Sequence, residues 1–236
     1  MTLFAVRVFL FSILPLLLGA GILVLDRSAA TRDRRIEVPL IMLFGLGVAG
    51  SGIASFFGHY FLSAVVAESI GWPSGSPFQL EMAFANLAVG ILGLIAAGRR
   101  DGFREATVIA VTVLGVGASI VHIQDILATG NMAPGNTIQN IANLIKPAFL
   151  IPLLAAARIA ERSGTSDAGT AQFELWRAPL LQAVAVVTAI VATAFGIGFA
   201  VGNPVAASAL GTLTAIAVLA FILARSPAHS ARASSR

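Results

Sequence analysis

Seven long stretches of predominantly apolar residues dominate this chain of 236 residues. They cover 4–25, 38–58, 79–98, 106–127, 138–160, 178–201 and 204–224. A helix needs about 20 apolar residues to cross a bilayer, because its rise of about 1.5 Å per residue must span about 30 Å of hydrocarbon. We therefore predict an all-α fold, a polytopic transmembrane helix bundle of seven spans whose central four-helix core comes from spans 2–5.

The composition supports a membrane protein and excludes two other classes. Hydrophobic residues make up 57% of the chain and charged residues only 11%, whereas a soluble domain carries about 25% charged residues and a disordered chain is more polar still. The net charge of +4 comes from arginines in short segments between the apolar stretches. A nucleic-acid-binding protein gathers its positive charge on one face, so we predict no nucleic-acid partner. The chain contains no cysteine, which excludes disulfides and thiolate chemistry.

The arginines also predict the orientation of the spans. Thirteen of the 14 lie near the links between spans one and two, three and four, and five and six, or follow span seven. The positive-inside rule places such segments in the cytoplasm. We therefore predict a multi-pass protein of the cell inner (plasma) membrane, with its N-terminus outside and its C-terminus inside. Arg7 is the single exception.

Polar composition divides the chain into three parts. Residues 1–160 are predicted to form spans 1–5 with an outward-facing polar layer, 161–177 a flexible cytoplasmic linker, and 178–236 a terminal transmembrane hairpin with a disordered tail. The hairpin is almost free of polar side chains, so we expect spans 6–7 to contact the lipid bilayer and either a second copy of the chain or a partner membrane subunit. The apolar character of span two continues past His59 to Ile70, as extra helix or as a segment along the interface.

Ionisable residues gather in the outer half of spans 2–5, where they are costly and mark functional sites. His59, Glu81, His122 and Asp125 lie at similar depths, and His122 and Asp125 share a helix face because they are three residues apart. Imidazole and carboxylate groups bind zinc, iron or manganese. We predict that these four residues converge on one outward-opening cavity, as ligands of such a divalent metal or as a hydrogen-bonded network. No His-Glu-x-x-His motif is present, so the sequence does not decide whether a metal is the cofactor or which metal it would be.

A second set of residues predicts a pocket for a ligand. Its members lie at the same depth or in the adjoining loop, and they are Glu68, Trp72, Gln79, Asn86, Asn140, Asn143 and Lys146. Pro147 removes the helical hydrogen bond to the carbonyl of Asn143. We expect Lys146 to pair with Glu81 or Asp125, because an unpaired ammonium at that depth costs about 3 kcal/mol on insertion scales.

Two segments of this region resemble a known family. They are the stretch Gly71-Trp-Pro-Ser-Gly-Ser-Pro-Phe-Gln-Leu-Glu81, continued over 84–90, and the segment His122-Ile-Gln-Asp125 with the turn-rich loop after it. Both resemble an uncharacterised bacterial multi-pass membrane protein family, over about residues 55–160. This resemblance implies a bacterial inner-membrane protein of unsettled activity. The central four-helix part resembles, more weakly, the DoxX-type bundles associated with membrane redox systems.

These patterns support three hypotheses about function. The first is a bacterial inner-membrane protein with an outward-facing His/carboxylate pocket that binds a metal ion or a small polar ligand. The second is a non-catalytic subunit of a redox or other membrane complex. The third is a proton or solute transporter, because chains of intramembrane ionisable residues form relays. The sequence does not decide whether the protein is an enzyme.

Overall fold

The computed structural model describes residues 3–25, 32–162 and 170–203, together with 209–211, 213, 214 and 217. Every regular element in these residues is helical. The predicted all-α class is therefore confirmed. Helices suit such an apolar chain because they satisfy every backbone hydrogen bond within one segment, away from water.

Up to residue 200, the described residues form eight helices, which we number α1 to α8. They are α1 (3–25), α2 (32–61), α3 (Ser63–Ile70), α4 (Phe78–Gly98), α5 (Phe103–Thr129), α6 (Pro134–Thr137), α7 (Gln139–Arg162) and α8 (Thr170–Ala200). Two of them contain π-helical segments, which are Phe9–Ile13 in α1 and Leu43–Gly50 in α2. The helix α8 begins inside the stretch that the sequence predicted as a linker.

Six helices among the described residues are long and apolar enough to cross a membrane. They are Phe4–Leu25, Arg34–Phe61, Phe78–Gly98, Phe103–Thr129, Pro134–Arg162 and Leu180–Gly198. They overlap the first six predicted stretches, so a membrane protein is supported and lipid is its expected surroundings. The seventh predicted stretch, 204–224, lies mostly outside the described residues. The apolar tail of span two forms the separate helix α3, because the backbone breaks at Leu62.

The second helix occupies the centre of the bundle. Residues 38–52 of α2 are almost entirely buried, and α2 packs against α1, α4, α7 and α8. Glycines allow the closest of these approaches: a Cβ atom on Gly52 would lie 2.6 Å from the backbone of Gly90 in α4. The buried face of α8 belongs to the same hydrophobic core as α1 and α2, and Phe195 contacts Phe11 edge-to-face at 5.7 Å. The core thus includes α1 and α8 as well as the predicted spans 2–5.

The two ends of the bundle differ in their polar groups. One end, which we call the arginine end, contains Arg104, the start of α2 and the link that precedes α5. Arg104 is 2% exposed and donates two hydrogen bonds of 2.7 Å to the carboxylate of Glu37. Arg158 pairs in the same way with Glu105. The other end, which we call the loop end, contains residues 71–77 between α3 and α4 and 130–133 between α5 and α6.

Candidate ligand-binding cavity

A cavity of about 660 Å³ lies in the half of the bundle nearer the loop end. Side chains from all six membrane-spanning helices line it. Seven of the predicted site residues are among them: His59, Trp72, Gln79, Asn86, His122, Asn143 and Lys146. The four predicted site residues that do not line the cavity are Glu68, Glu81, Asp125 and Asn140. Three of those four are the carboxylates.

Arg7 lines this cavity, although the sequence indicated only that it broke the orientation rule. Its position near the start of α1 puts it at the depth of the last turns of α2. There its Nη2 donates a hydrogen bond of 2.6 Å to Oγ of Ser55, which in turn donates to the carbonyl of Ser51. The neighbour that α1 faces cannot be read from the apolar pattern, so the sequence analysis missed this residue.

Lys146 extends into the same cavity from α7 and is only 9% exposed. Its Nζ donates one long hydrogen bond of 3.4 Å, to the carbonyl of Ala142 in the preceding turn. No carboxylate among the described residues lies within salt-bridge distance of Lys146, so the predicted pair with Glu81 or Asp125 is wrong. The depths along the helices were similar, but depth does not determine which way each side chain points around its helix.

Arg7, Lys146 and His59 all line the cavity. These basic groups therefore occupy one electrostatic environment, although they come from α1, α7 and α2. None of the described residues that line the cavity is acidic. The cavity is thus a buried region of positive charge without a carboxylate of its own.

Two amides on α7 complete the polar lining. Nε2 of Gln139 donates a hydrogen bond of 2.8 Å to Oδ1 of Asn143. This leaves Oε1 of Gln139 and Nδ2 of Asn143 buried without a partner in the described residues. Buried polar atoms without a partner are rare and costly, so they mark positions where a ligand or water completes the hydrogen bonding. Gly115 of α5 packs against the Asn143 carbonyl that Pro147 leaves without its helical partner.

The two histidines are held by amide oxygens. Nδ1 of His59 lies 2.6 Å from Oε1 of Gln79, and Nδ1 of His122 lies 2.8 Å from Oδ1 of Asn136. Because an amide oxygen only accepts hydrogen bonds, each Nδ1 carries the proton and donates it. In the neutral ring, the free lone pair is then on Nε2.

Asp125 binds the two loops together instead of facing the cavity. Its Oδ2 accepts hydrogen bonds from Nε1 of Trp72 at 3.0 Å and from Nδ2 of Asn131 and Asn136, each at 2.8 Å. The indole of Trp72 stacks on the ring of His122 with a centroid distance of 5.1 Å. We call these five residues the loop network. It joins α3, α5 and α6 at the loop end of the cavity.

This geometry does not fit the predicted metal site. The described residues contain no group of three or more histidines, aspartates or glutamates that could hold a metal ion. The carboxylate of Asp125 is already occupied by three donors, and Glu81 is exposed and outside the cavity. Only His59 and His122 of the four proposed ligands reach the lining. The arrangement suits a partner that accepts hydrogen bonds and carries negative charge.

The remaining predicted residues have other surroundings. Glu68 is exposed, and Nδ2 of Asn140 donates a hydrogen bond of 3.1 Å to the carbonyl of Asn136. The amide of Asn86, which lines the cavity, donates a hydrogen bond of 2.7 Å to the carbonyl of Met82 within α4. Asn140 and Asn86 therefore use their amide donors on backbone one turn earlier.

Fold and cavity together define a helical membrane-bundle protein with a buried polar site. Comparison with protein families agrees with the resemblance to an uncharacterised family: the chain belongs to a family of unknown function, DUF6790, whose model matches residues 6–163. The matched part begins just before Arg7 and includes every cavity-lining residue from α2 to α7. No curated protein and no solved structure matches the chain.

Proposed function

We propose that this protein binds a small anionic ligand in the cavity. The observation that carries the proposal is that Arg7 and Lys146 share one buried, largely apolar cavity whose described lining has no acidic residue. Within the membrane-spanning region, a cation without a partner is expensive. An anion from outside the chain would supply the missing charge and accept the hydrogen bonds that these side chains still have to donate.

The donors around Lys146 suit a carboxylate or a phosphate. The ammonium of Lys146 has three N–H donors and makes one long hydrogen bond, and Nδ2 of Asn143 lies one turn away without a partner. The guanidinium of Arg7 offers further donors in a planar fork that matches an oxyanion. Hydrogen bonds from charged donors are about twice as strong as neutral ones, and more so in a region of low dielectric constant.

Thermal unfolding of the purified full chain with a panel of carboxylates and phosphates tests this function. A ligand that binds only the folded state stabilises it by about 2.7 kcal/mol at 100 times its Kd. We expect members of the panel to raise the Tm of the wild-type chain and to have little effect on Arg7→Gln or Lys146→Gln. The matched control is Arg35→Gln, which removes an exposed arginine from α2. An equal rise in all four proteins would place the bound anion elsewhere.

For the membrane topology, we propose seven spans with the N-terminus outside and the C-terminus inside, in the plasma membrane of a bacterium. The distribution of arginine supports this proposal, and the place of Arg7 in a buried cavity accounts for the one exception. The cavity would then open in the outer half of the membrane. Reporter fusions after Arg104 and Arg236 should both report a cytoplasmic location, and a periplasmic signal at either would contradict the topology.

The association of spans 6–7 with a second copy or another membrane subunit stays a prediction. One face of α8 is buried against α1 and α2, whereas Val186 and Ala189 are exposed on the surface of the described bundle and do not line the cavity. Chemical cross-linking in native membranes from cysteine variants at these two positions would detect such a neighbour.

A further inference from the structure

We infer that the ligand is an anionic amphiphile with a single apolar chain, and that it enters the cavity sideways from the bilayer. This inference rests on the proposed anion site and adds the chemical class of the ligand and its route. It comes from the apolar part of the cavity, which the anion alone does not explain.

The cavity has a polar and an apolar region. Arg7, Lys146 and the amides of α7 form the polar region, whereas most of the remaining lining consists of aliphatic and aromatic side chains and glycine. A volume of about 660 Å³ falls within the range of about 300–1,000 Å³ that is usual for sites of drug-sized ligands. A free carboxylate or phosphate ion would leave most of this apolar space empty. A chain attached to the anion would fill it.

The apolar region reaches the surface of the bundle that faces lipid. Phe57 and Phe61 of α2 and Ile197 of α8 line the cavity, yet they are 43%, 62% and 58% exposed. Side chains that line a cavity and are also exposed form its rim. Phe78 and Val121, 49% and 50% exposed, form a second part of the rim nearer the loop end. Since α2 and α8 are neighbours in the bundle, the first part indicates an opening between them within the membrane-spanning region.

A glycine keeps this opening wide. Gly196 lines the cavity beside Ile197, and a Cβ atom placed on it would meet no described residue within 4 Å. At the loop end, by contrast, Trp72 and His122 are stacked and fixed by the loop network. The side route therefore has open space where the route from the loop end has hydrogen-bonded structure. A ligand that partitions into lipid would use the side route.

Equilibrium binding of tritiated palmitate to the full chain in nanodiscs of phosphatidylcholine tests the ligand class. Empty nanodiscs give the background, and the methyl ester of palmitate provides the same chain without the charge. We expect saturable binding that palmitate, dodecanoate and dodecyl phosphate compete for, whereas the methyl ester and acetate compete at least about tenfold more weakly. The two dodecyl compounds distinguish a preference for a carboxylate from one for a phosphate.

Variants of the basic groups connect this binding to the cavity. Arg7→Gln and Lys146→Gln should each weaken palmitate binding by about tenfold to a hundredfold, because each removes charge-assisted hydrogen bonds. Arg7→Lys and Lys146→Arg keep the charge and should retain most of the affinity, which separates loss of binding from loss of folding. Unchanged palmitate affinity in both Gln variants would overturn the inference.

The route is tested by closing the opening. Gly196→Phe places a ring where the structure has space, and we expect it to weaken palmitate binding about tenfold or to slow it, while acetate or phosphate still stabilises the protein. The matched control is Gly117→Phe on α5, at a glycine that also has free space but does not line the cavity. Unchanged palmitate binding in Gly196→Phe would overturn the sideways route.

The outcomes separate the two proposals. If acetate or inorganic phosphate binds as tightly as palmitate and depends on Arg7 and Lys146, the amphiphile is wrong and the anion site stands. If the methyl ester binds as tightly as palmitate, the cavity takes any apolar chain and the anionic amphiphile is wrong. The anion site fails as well only if no carboxylate or phosphate of the thermal panel depends on Arg7 and Lys146. If only the long-chain anions bind, and the Gln variants lose them, both proposals hold.

Discussion

The arginine end and the cavity both bury cationic side chains, and they treat them in opposite ways. At the arginine end, Arg104 donates two hydrogen bonds of 2.7 Å to Glu37 and one of 3.0 Å to the carbonyl of Ala96. In the cavity, Lys146 makes one hydrogen bond of 3.4 Å. Glu37 also accepts a hydrogen bond of 3.3 Å from Arg100, so the buried cation at the arginine end has its counter-charge, whereas Lys146 still has a charge and N–H donors that no described carboxylate neutralises. This difference is the main argument that the cavity binds something.

The largest effect should come from breaking the pair of Glu37 and Arg104. Glu37→Gln leaves Arg104 buried with an amide in place of a carboxylate, and removing one partner of a buried pair costs about 3–5 kcal/mol of unfolding free energy. Denaturant unfolding in detergent, or the yield of folded protein where unfolding is irreversible, measures this loss.

The double variant Glu37→Gln with Arg104→Met provides the control for this experiment. It removes both buried charges and leaves Arg100, which also contacts Glu37 at 3.3 Å but is partly exposed to solvent. The double variant should therefore recover much of the lost stability, since an apolar replacement of a buried pair is often tolerated. A single variant as stable as the wild type would show that the pair is not buried in the membrane-bound protein.

Removing the buried cation of the cavity should change the unfolding free energy in the opposite direction. Lys146→Met keeps the length and the apolar stem of the side chain and removes an ammonium that has no carboxylate partner in the described part of the chain. We expect the unfolding free energy of the ligand-free protein to stay the same or to rise by about 1–3 kcal/mol, because the cost of burying the charge disappears. Stabilisation by an added anion should be lost in the same variant.

Lys146→Arg is the control, and it should change neither quantity by much. A loss of stability in Lys146→Met comparable to that in Glu37→Gln would mean that Lys146 is as well paired as Arg104. The contrast between the two regions would then disappear.

Six of the seven predicted spans overlap helices that are long and apolar enough to cross a membrane, because hydrophobic length is a strong requirement in a bilayer. The sequence placed the start of the second span at residue 38, whereas the helix begins at residue 32 and contains Glu37, which is paired with Arg104. A count of apolar residues treats every charge as a boundary. A paired charge, however, is tolerated inside the helix.

The cavity was predicted only in part, and the reason is geometric. Depth along a helix follows from residue number, so seven of the predicted site residues line the cavity. The direction around each helix depends on neighbours that the sequence does not reveal. Asp125 therefore accepts hydrogen bonds from the loops and does not pair with Lys146. Arg7 lines the cavity although it was not among the predicted site residues. The predicted metal ligands did not meet for the same reason.

Disrupting the loop network should lower the unfolding free energy by an intermediate amount. Asp125→Ala removes the acceptor of three hydrogen bonds, from Trp72, Asn131 and Asn136, and leaves these donors without their partner. We expect a loss of about 1–3 kcal/mol in unfolding free energy. Hydrogen exchange should increase in both loops and change little at the arginine end.

The control for the network is Glu68→Gln, which changes an exposed carboxylate near the same end. Stability should be unchanged in this variant. Palmitate binding in Asp125→Ala, measured as above, should be affected less than in Lys146→Gln, because Asp125 does not line the cavity. A complete loss of binding would show that the network shapes the site as a whole.

The smallest effect concerns an exposed ion pair beside the buried one at the arginine end. Hydrogen bonds from Arg99, and from the backbone N–H of Phe103 at the start of α5, hold the pKa of Asp101 at about 2, below its ordinary value of 3.8. A carboxylate with a lowered pKa stabilises the folded state above the ordinary pKa, and this contribution is lost as the pH falls from about 4 through about 2. Both side chains are about half exposed, so salt should screen the pair and raise the pKa of Asp101 towards its ordinary value.

Carboxyl NMR of the full chain, with the signal assigned by its loss in Asp101→Asn, measures this pKa at low and high salt. Arg99→Gln should raise it at low salt, while the unfolding free energy at neutral pH should change far less than in Glu37→Gln, because water already solvates both partners. A pKa of Asp101 that is ordinary at low salt, or a loss of stability as large as that at Glu37, would mean that burial does not set the difference between these two neighbouring pairs.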